Sequence, residues 1–474
     1  MKWHLTHKVH GTQPWAVQAE ALKRAHHKNK YGFWLEQGLG KTSLALNEYI
    51  QLLNDDVVDL MVVIAPNSFK LDWVLAPAEW GVPYIASGLW PRDSLPEAAR
   101  GYLYAVNYEA VSRPTHKEVF QTFFEQFRVL LIIDESSKIA NPSSDATKAV
   151  IELAKRATFV RELNGTPMTQ SVMDYYGQLR CLGELNGVKS TAFRARYADM
   201  GGYMGKKVTG IREENKEELY ALLERCAFRA LKSDWRKDLP PQLDVPVHLE
   251  MTPRQQGHYR EMMEDFYTEV VDVEVTAELV LTKLERLRQI SSCLAMDGDK
   301  HRWIEPAPAN PKVRAVEDLI EACPGKMIVV YTYRPTGDML LKRFTDLKLE
   351  PAMIRGQMKL EWIITEKERF NHDPDCRVLV AQQQAACMGH TLLGQKGRDR
   401  CASMCFFENS FSLRDRLQMR DRNHRGEQDE PCSYYDLITS PMEQIVVDAL
   451  SSKKEQADMV DAAVKVVREG WWRI

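Results

Sequence analysis

The sequence predicts an α/β fold with two tandem lobes, each a parallel sheet flanked by helices, and with helical insertions. Three observations support this prediction. Short apolar runs alternate with helical patterns in two separate parts of the chain. These runs end directly in polar or glycine residues, as buried parallel strands often do. The 474 residues also exceed one compact core, because a domain typically holds about 150 residues.

The first lobe is predicted over residues 1–170. A helix opens after Pro14 and Trp15, because proline favours the first turn of a helix. An apolar run at 33–35 then precedes a glycine-rich turn and a helix with an apolar stripe. Further strands are predicted at 60–65, 102–106, 129–133 and 159–163.

The rest of the chain divides into four predicted parts. They are a helical insertion attached to the first lobe (171–235), a linker and helical region (236–310), the second lobe (311–440) and a C-terminal bracing helix (441–474). The prolines of Asp238–Gln242 are the clearest linker signal. The final helix is expected to pack its end at Trp471 and Trp472 rather than to offer a base-stacking platform. Strands of the second lobe are predicted at 327–331, 377–381, 404–407 and 434–438.

The composition is that of an ordinary soluble globular protein, with 44% hydrophobic and 27% charged residues. A net charge of −3 gives no overall basic signal, so a nucleic-acid site would have to be a local basic groove. The N-terminus lacks the apolar core of a signal peptide, and no run of about 18 apolar residues occurs. We therefore expect a cytoplasmic protein with no membrane span.

The cysteines and N-terminal histidines do not form a metal-binding pattern. The nine cysteines are scattered, and Cys401 and Cys405 have no second pair at zinc spacing. Reduced thiols are therefore expected. His4, His7 and His10 recur at every third residue, but no carboxylate or cysteine completes a site. Exposed histidines are the expected outcome.

The glycine-rich turn has the pattern of a loop that binds nucleotide phosphates. Its glycines let backbone N–H groups curl around phosphate oxygens, and the following helix offers its positive end. Lys41 can reach the β- and γ-phosphates, and the Thr42 hydroxyl can bind Mg²⁺. The strict pattern has glycine where this chain has Leu35, so a plain strand-to-helix turn is the alternative. The residues expected at the phosphates are Gly38, Leu39, Gly40, Lys41, Thr42 and Ser43.

Asp134 and Glu135 follow an apolar strand and supply the acidic partners that such a loop needs. The aspartate can hold Mg²⁺ where the ion bridges the β- and γ-phosphates. The glutamate can orient or deprotonate the attacking water. An ordinary helix cap is the alternative interpretation of the pair.

Arg422 and Arg425 offer the positive charge that phosphoryl transfer needs, often from a neighbouring domain. On a helix, residues three apart share one face. A solvated basic helix is the alternative, but the position after the second alternating pattern favours a catalytic role. No second phosphate-binding loop occurs in the second lobe, which is therefore expected to complete the site of the first.

Together these motifs resemble the Swi/Snf-type family of superfamily-two ATPases, over most of the chain from about Pro14 to Lys454. Each motif by itself is a weak indication of this family, but so many of them in the right order are very specific for it. The inter-lobe Leu-Pro-Pro signature and helical insertions distinguish this family from ordinary helicases. The matching segments are Gln18 after a Pro-Trp pair, 36–42, 66–73, 134–138, 165–167, 239–241, 287–290, 389–392, and the Gln-x-x-x-Arg-x-x-Arg motif formed by Gln418, Arg422 and Arg425.

The resemblance implies two RecA-like lobes whose cleft closes on ATP and Mg²⁺ and walks along double-stranded DNA. It implies that Gln18 reads adenine, that Gln418 belongs to the catalytic set with Arg422 and Arg425, and that Thr42 and Asp134 bind the metal. By motif position, the expected contacts to the DNA backbone are Asn67, Ser68, Lys70, Tyr108, Arg334 and Gln384. The expected coupling residues are Ser137, Gly165 and Thr166.

Three departures from the family pattern affect coupling rather than hydrolysis. The family histidine is Ser137 here, the threonine before Gly165 is Asn164, and one residue is missing between Arg425 and Gly426. Two rival functions remain open: a strand-separating helicase of the same superfamily, and a scaffold that binds nucleotide without turnover. The compact chain suggests a prokaryotic or phage monomer that works with replication, recombination or repair proteins.

Overall fold

The computed structural model describes most of the chain, with gaps. The chain separates into two compact units, Met1–Asp238 and Leu239–Ile474, and each is described by itself. The described residues are 2–6, 13–67, 69–90, 100–168, 171–201, 207–272, 277–297, 300–386, 391–426, 428–451 and 465–466.

The first unit contains ten helices and nine strands among its described residues. The helices are α1 (Ala16–Ala25), α2 (Lys41–Asn54), α3 (Lys70–Glu79), α4 (Tyr108–Val111), α5 (Pro114–Gln126), α6 (Asp145–Arg156), α7 (Asp174–Cys181), α8 (Ser190–Tyr197), α9 (Lys216–Cys226) and α10 (Lys232–Trp235). The strands are β1 (Lys30–Leu35), β2 (Leu60–Ala65), β3 (Ser87–Leu89), β4 (Leu103–Asn107), β5 (Val129–Asp134), β6 (Phe159–Leu163), β7 (Ala198–Gly201), β8 (Lys207–Ile211) and β9 (Ala227–Ala230).

Seven strands of the first unit form one sheet in the order β3-β4-β2-β5-β6-β1-β9. Every pairing in it is parallel. Strands β2 and β5 are buried at every position, because helices cover both faces of a parallel sheet and leave no solvent side. Their sequences are therefore continuous apolar runs, and the predicted α/β class is confirmed.

Strand β9 joins this sheet from the segment that was predicted to be helical. It pairs in parallel with β1 and places Ala227 beside Gly32. A Cβ on Gly32 would lie 2.8 Å from the Cβ of Ala227, so glycine is required for this close approach. The hairpin of β7 and β8 also lies in this segment, so the predicted helical insertion at 171–235 contains strands as well as the helices α7 to α10. Such short strands carry too few residues to show a period.

A buried ion pair ties the helix after the glycine-rich turn to the sheet. Arg161 on β6 contacts Glu48 on α2 at 2.7 Å, with side chains 1% and 4% exposed. The guanidinium also donates to the carbonyl oxygens of Lys28 and Asn29. Buried charges need this complete pairing to offset the loss of water. The pair therefore holds α2 in place behind the turn.

The second unit contains eight helices and eight strands among its described residues. The helices are α11 (Pro253–Asp272), α12 (Ala277–Ser291), α13 (Pro311–Ala322), α14 (Arg334–Asp346), α15 (Leu360–His372), α16 (Gln383–Ala386), α17 (Leu413–Arg420) and α18 (Pro441–Ser451). The strands are β10 (Gln242–His248), β11 (Leu294–Asp297), β12 (Lys300–Trp303), β13 (Met327–Tyr331), β14 (Ala352–Ile354), β15 (Val378–Gln382), β16 (Ser403–Phe406) and β17 (Cys432–Ile438).

Six of these strands form a second parallel sheet in the order β10-β17-β16-β13-β15-β14. This confirms the two parallel sheets that were predicted. Strand β10 begins at Gln242, the last residue of the predicted linker signal. Helix α18 is held by a buried pair of Lys312 and Glu443, and the same ammonium donates to Phe407 O at 3.0 Å. The tandem tryptophans at 471 and 472 lie outside the described residues.

Several compositional expectations can be compared with the structure. Within the described ranges, no helix is both long enough and apolar enough to span a membrane. Eight described cysteines are buried and form no disulfide, as predicted for reduced thiols. His4 is half-buried with Nε2 3.1 Å from Gln51 Oε1, so the expectation of an exposed side chain is wrong there. His7 and His10 lie outside the described residues.

Candidate active site

The glycine-rich turn connects β1 to α2 and bends through two left-handed residues. Gly38 has φ of 83° and Gly40 has φ of 77°, a region that favours glycine because it has no Cβ. At Gly40 a Cβ would also lie 2.2 Å from Gln18 Nε2. The tight bend places Lys41 at the first position of α2, where the helix carries its partial positive charge.

Gln18 lies against this turn, and its amide is bonded within the protein. Its Nε2 donates to Gly40 O at 3.1 Å and to Ser43 Oγ at 2.9 Å. Its Oε1 accepts from Trp15 N at 2.9 Å, and the side chain is 3% exposed. Recognition of adenine by Gln18 stays a prediction. To contact the base, the Gln18 amide would have to give up at least one of these three hydrogen bonds.

The Lys41 ammonium lies inside the bend. Its Nζ donates to Leu35 O at 2.9 Å and to Gln37 Oε1 at 3.1 Å. The side chain is 9% exposed, so its charge acts in surroundings that screen it less than water does. The structure thus places the predicted phosphate-binding lysine at the carboxyl end of β1.

Asp134 ends β5 and is held on both carboxylate oxygens. Oδ2 accepts from Trp73 Nε1 at 2.9 Å, and Oδ1 accepts from the backbone N–H of Glu135 at 3.0 Å. Burial, followed by the adjacent Glu135 charge, raises the pKa of Asp134 to about 7, although the Trp73 bond and the Lys41 charge act in the opposite direction. Ionised Asp134 therefore depends on positive charge and donors nearby.

Glu135 occupies a left-handed conformation with φ of 53°, which is uncommon for residues other than glycine. Its Oε1 accepts from Gln37 Nε2 at 2.7 Å. One amide, that of Gln37, therefore contacts both Lys41 and Glu135. Sequence reasoning missed Gln37 and the Asp134 contact of Trp73, because neither residue type signals this role.

The donor set fits a magnesium ion. Mg²⁺ prefers oxygen ligands and usually binds one or two protein groups together with substrate phosphates and water. Thr42 on α2 and Asp134 at the end of β5 supply a hydroxyl and a carboxylate. Of the described residues, no three histidines, cysteines or acidic residues are grouped as a metal cage.

The coupling segment contacts the Asp-Glu segment through Ser136, not through the predicted Ser137. Asn164 Nδ2 donates to Ser136 Oγ at 3.1 Å, and Ser136 Oγ donates to Gln178 Oε1 at 2.8 Å. Ser137 Oγ is buried and has no hydrogen-bond partner among the described residues. Its role as a coupling residue stays a prediction.

The other two predicted coupling residues lie in the turn after β6. Thr166 N donates to Asn164 Oδ1 at 2.9 Å, which closes a local turn of the Asx type. Gly165 packs against the glycine-rich loop, since a Cβ on it would lie 3.3 Å from both the backbone N and the Cγ of Gln37. The turn and the loop are thus in direct contact within the first unit.

The arginine motif is a turn and not a helix. Helix α17 ends at Arg420, so the expectation that Arg422 and Arg425 share a helical face is wrong. Arg422 is 3% exposed, and its Nε donates to the carbonyl oxygen of Gln418 at 2.9 Å. The five residues that follow the helix, 421–425, are all polar, so they supply no apolar stripe that would favour its continuation.

His424 fixes this turn to the start of the second unit. Its Nε2 lies 2.8 Å from Pro240 O, and its Nδ1 lies 2.7 Å from Gln242 Nε2. Arg420 adds an ion pair with Asp244 at 2.9 Å. The predicted linker signature and the arginine turn are therefore packed together, a contact that sequence reasoning missed.

The predicted DNA contacts differ in their surroundings. Asn67, Arg334 and Gln384 are exposed and Lys70 is half-buried, so these four stay predictions. Tyr108 is 5% exposed and donates its hydroxyl proton to Asp134 O at 2.6 Å. A phosphate contact by Tyr108 does not fit, because its polar atom is buried at the acidic pair. Ser68, like residues 389 and 390 of a matched motif, lies outside the described residues.

Comparisons with known proteins identify related chains. A family model, the SNF2-related domain, matches residues 35–295, more than half of the chain. The DNA repair and recombination protein RAD54-like of Danio rerio is 21% identical over 91% of this chain and 64% of its own length. The SWI/SNF-related matrix-associated actin-dependent regulator of chromatin subfamily A member 1 of Homo sapiens is 22% identical over 88% of this chain and 40% of its own length.

A solved structure also aligns along the chain. The Sulfolobus solfataricus SWI2/SNF2 ATPase core in complex with dsDNA is 17% identical, with a TM-score of 0.42 over 98% of this chain and 97% of that one. The chain spans less than two thirds of the length of the two curated relatives.

Proposed function

The chain belongs to the SNF2-related domain family, and from this membership we propose that it is a DNA-dependent ATPase that moves along double-stranded DNA. One observation carries the enzymatic part of the proposal. The Gln37 amide contacts Lys41 at 3.1 Å and Glu135 at 2.7 Å. A phosphate-binding group and a candidate base for the attacking water are therefore one side chain apart.

Binding of ATP uses the glycine-rich turn and the start of α2. The bend at Gly38 and Gly40 exposes backbone N–H groups to phosphate oxygens, and the helix end favours the same anion. Lys41 leaves its carbonyl partners and contacts the β- and γ-phosphates. Phosphate oxygens carry more negative charge than these two carbonyl oxygens, so the exchange strengthens the hydrogen bonds of the ammonium.

Hydrolysis places different demands on the two acidic residues. Glu135 orients the attacking water and accepts its proton. Thr42 and Asp134 hold Mg²⁺, which supplies neutralising charge at the phosphates when it is bound. Arg422 and Arg425 are proposed to add positive charge to the transferring phosphoryl group.

The DNA part of the proposal rests on the family and on the names of relatives in DNA repair and chromatin regulation. Asn67, Lys70, Arg334 and Gln384 are proposed to contact phosphates of the duplex. Such contacts carry no sequence information. Binding is therefore expected to be independent of sequence and to weaken steeply with salt, because each neutralised phosphate releases counterions.

The ATPase proposal is tested by measuring hydrolysis with and without duplex DNA. Wild type is expected to hydrolyse ATP faster when duplex is present. Lys41→Ala is expected to abolish turnover, and Glu135→Gln is expected to bind ATP without turnover. Lys148→Ala is the matched control, because Lys148 is exposed on α6 and pairs with Asp145, three residues away. Equal rates for wild type and Lys41→Ala would contradict the mechanism.

A second assay separates movement along a duplex from strand separation. A translocase displaces the third strand of a triplex ahead of it, and we expect this activity. Unwinding of a forked duplex without triplex displacement would instead indicate a strand-separating helicase. Nucleotide-dependent DNA binding with no hydrolysis would indicate a scaffold.

A further inference from the structure

We propose that Gln37 is a positioning residue that restrains the phosphate-binding lysine and aligns the glutamate that activates water. This inference rests on the ATPase function proposed above. It assigns two separable effects to one amide: restraint of Lys41, which opposes nucleotide binding, and alignment of Glu135, which promotes turnover.

The two ends of the Gln37 amide have different partners. Oε1 accepts from Lys41 Nζ at 3.1 Å, and Nε2 donates to Glu135 Oε1 at 2.7 Å. A carboxamide is the side chain that can accept at one end and donate at the other. Both partners are charged groups, and hydrogen bonds to charged groups are the stronger class.

The position of Gln37 is itself restrained by the turn after β6. A Cβ on Gly165 would lie 3.3 Å from both the backbone N and the Cγ of Gln37. The turn therefore packs against the backbone and the stem of this glutamine. Because packing limits its rotation, the amide has a defined direction toward Glu135, which alignment requires.

Nucleotide binding changes the demands on this amide. Lys41 must turn from Gln37 Oε1 toward the phosphates, so the bond at that end opposes binding. The bond to Glu135 does not have to break for this movement and can persist during the reaction. Loss of the amide should therefore affect affinity and turnover in opposite senses.

Two substitutions test this prediction with different signs. Gln37→Met keeps the length of the side chain but removes both hydrogen bonds. It is expected to bind nucleotide about threefold more tightly, the size of one modest hydrogen bond, and to lower kcat about tenfold through misplacement of Glu135. Gln37→Glu attracts Lys41 and repels Glu135, and is expected to weaken binding about tenfold and to lower kcat.

The experiment uses the full chain and measures three quantities for each variant. A fluorescent ATP analogue with Mg²⁺ reports the Kd, steady-state hydrolysis with duplex DNA reports kcat and KM, and thermal unfolding reports Tm. Gln51→Met is the matched control, since Gln51 lies on α2 and its amide contacts the carboxylate of Asp55. That variant is expected to match wild type in Kd and kcat.

The Kd, kcat and Tm of the Gln37 variants decide between the possible outcomes. Tighter binding with slower turnover for Gln37→Met, at unchanged Tm, supports the proposal. It is overturned if kcat and Kd stay within twofold of wild type, or if both Gln37 variants weaken binding together with a lowered Tm. If wild type shows no hydrolysis, the ATPase proposal fails. The opposite Kd shifts of the two variants would then still decide whether Gln37 restrains Lys41.

Discussion

Replacing Trp73 with phenylalanine tests how Asp134 is kept ionised for Mg²⁺. The indole is 2% exposed, and its Nε1 donates to Asp134 Oδ2 at 2.9 Å. Burial and the Glu135 charge raise the pKa of Asp134 to about 7, and this value already includes the lowering effect of the indole bond. Phenylalanine keeps most of the apolar contact but cannot donate, so the pKa of Asp134 should rise further in the variant.

The size of the change follows from the burial of both partners. A hydrogen bond to a charged group contributes roughly 1.5–3 kcal/mol when little water competes. One pKa unit corresponds to about 1.4 kcal/mol, so the pKa of Asp134 should rise by about one to two units. Because the folded-state pKa exceeds the ordinary value of 3.8, ionised Asp134 opposes folding. The contribution of Asp134 to the free energy of unfolding therefore falls as pH rises from about 4 through about 7.

The assay measures the Mg²⁺ concentration that gives half-maximal ATP hydrolysis, from about pH 6 to about pH 9. Protonated Asp134 must lose its proton before it can bind the metal. In wild type, the Mg²⁺ concentration for half-maximal hydrolysis should therefore increase below about pH 7. In Trp73→Phe this increase should begin at a pH about one to two units higher. Calorimetry in two buffers checks the proton release directly.

Trp90→Phe is the matched control, because Trp90 is a buried indole stacked on Phe120 at 4.3 Å between ring centroids. Its pH dependence should equal that of wild type. If Trp73→Phe also keeps the wild-type pH dependence of Mg²⁺ at equal Tm, the indole does not hold Asp134 ionised and the reasoning is refuted.

Two further predictions concern the loop and the buried pair. Gly40→Ala should weaken nucleotide binding about tenfold in a fluorescence titration, because a left-handed alanine costs about 1–2 kcal/mol and its Cβ meets Gln18 Nε2. Gly210→Ala should leave nucleotide binding unchanged, because a Cβ at Gly210 has no atom within 4 Å. Equal weakening by both substitutions would contradict the explanation. Arg161→Met should lower the free energy of unfolding in urea by about 3–5 kcal/mol by leaving Glu48 buried and unpaired. Adding Glu48→Leu should recover part of the lost free energy of unfolding. If nothing is recovered, the unpaired Glu48 is not the cause of the loss.

Much of the fold could be predicted because its signals are local. Strands β2, β5 and β13 are short apolar runs that end at polar or turn residues, and burial on both faces requires that composition. The turn from β1 into α2 was also predictable, because Gly38 and Gly40 can take left-handed angles and Lys41 follows at once. These properties belong to a few adjacent residues and hold in any surroundings.

Other elements were missed where the local signal was weak or misleading. Strand β9 has four residues and shows no period, and only its pairing with β1 makes it a strand. The spacing of Arg422 and Arg425 suggested one helical face, yet α17 ends before them. Tyr108 was placed by motif position at the DNA, whereas packing puts its hydroxyl on Asp134 O.

By itself the sequence determined the class of the fold and the glycine-rich turn between β1 and α2, because backbone angles and apolar runs are set by near neighbours. Only the tertiary structure decided which side chains meet. Gln37 and Glu135 are 98 residues apart, and Trp73 and Asp134 are 61 apart. They come together because the order of parallel strands brings loops that follow β1, β2 and β5 to one edge of the sheet.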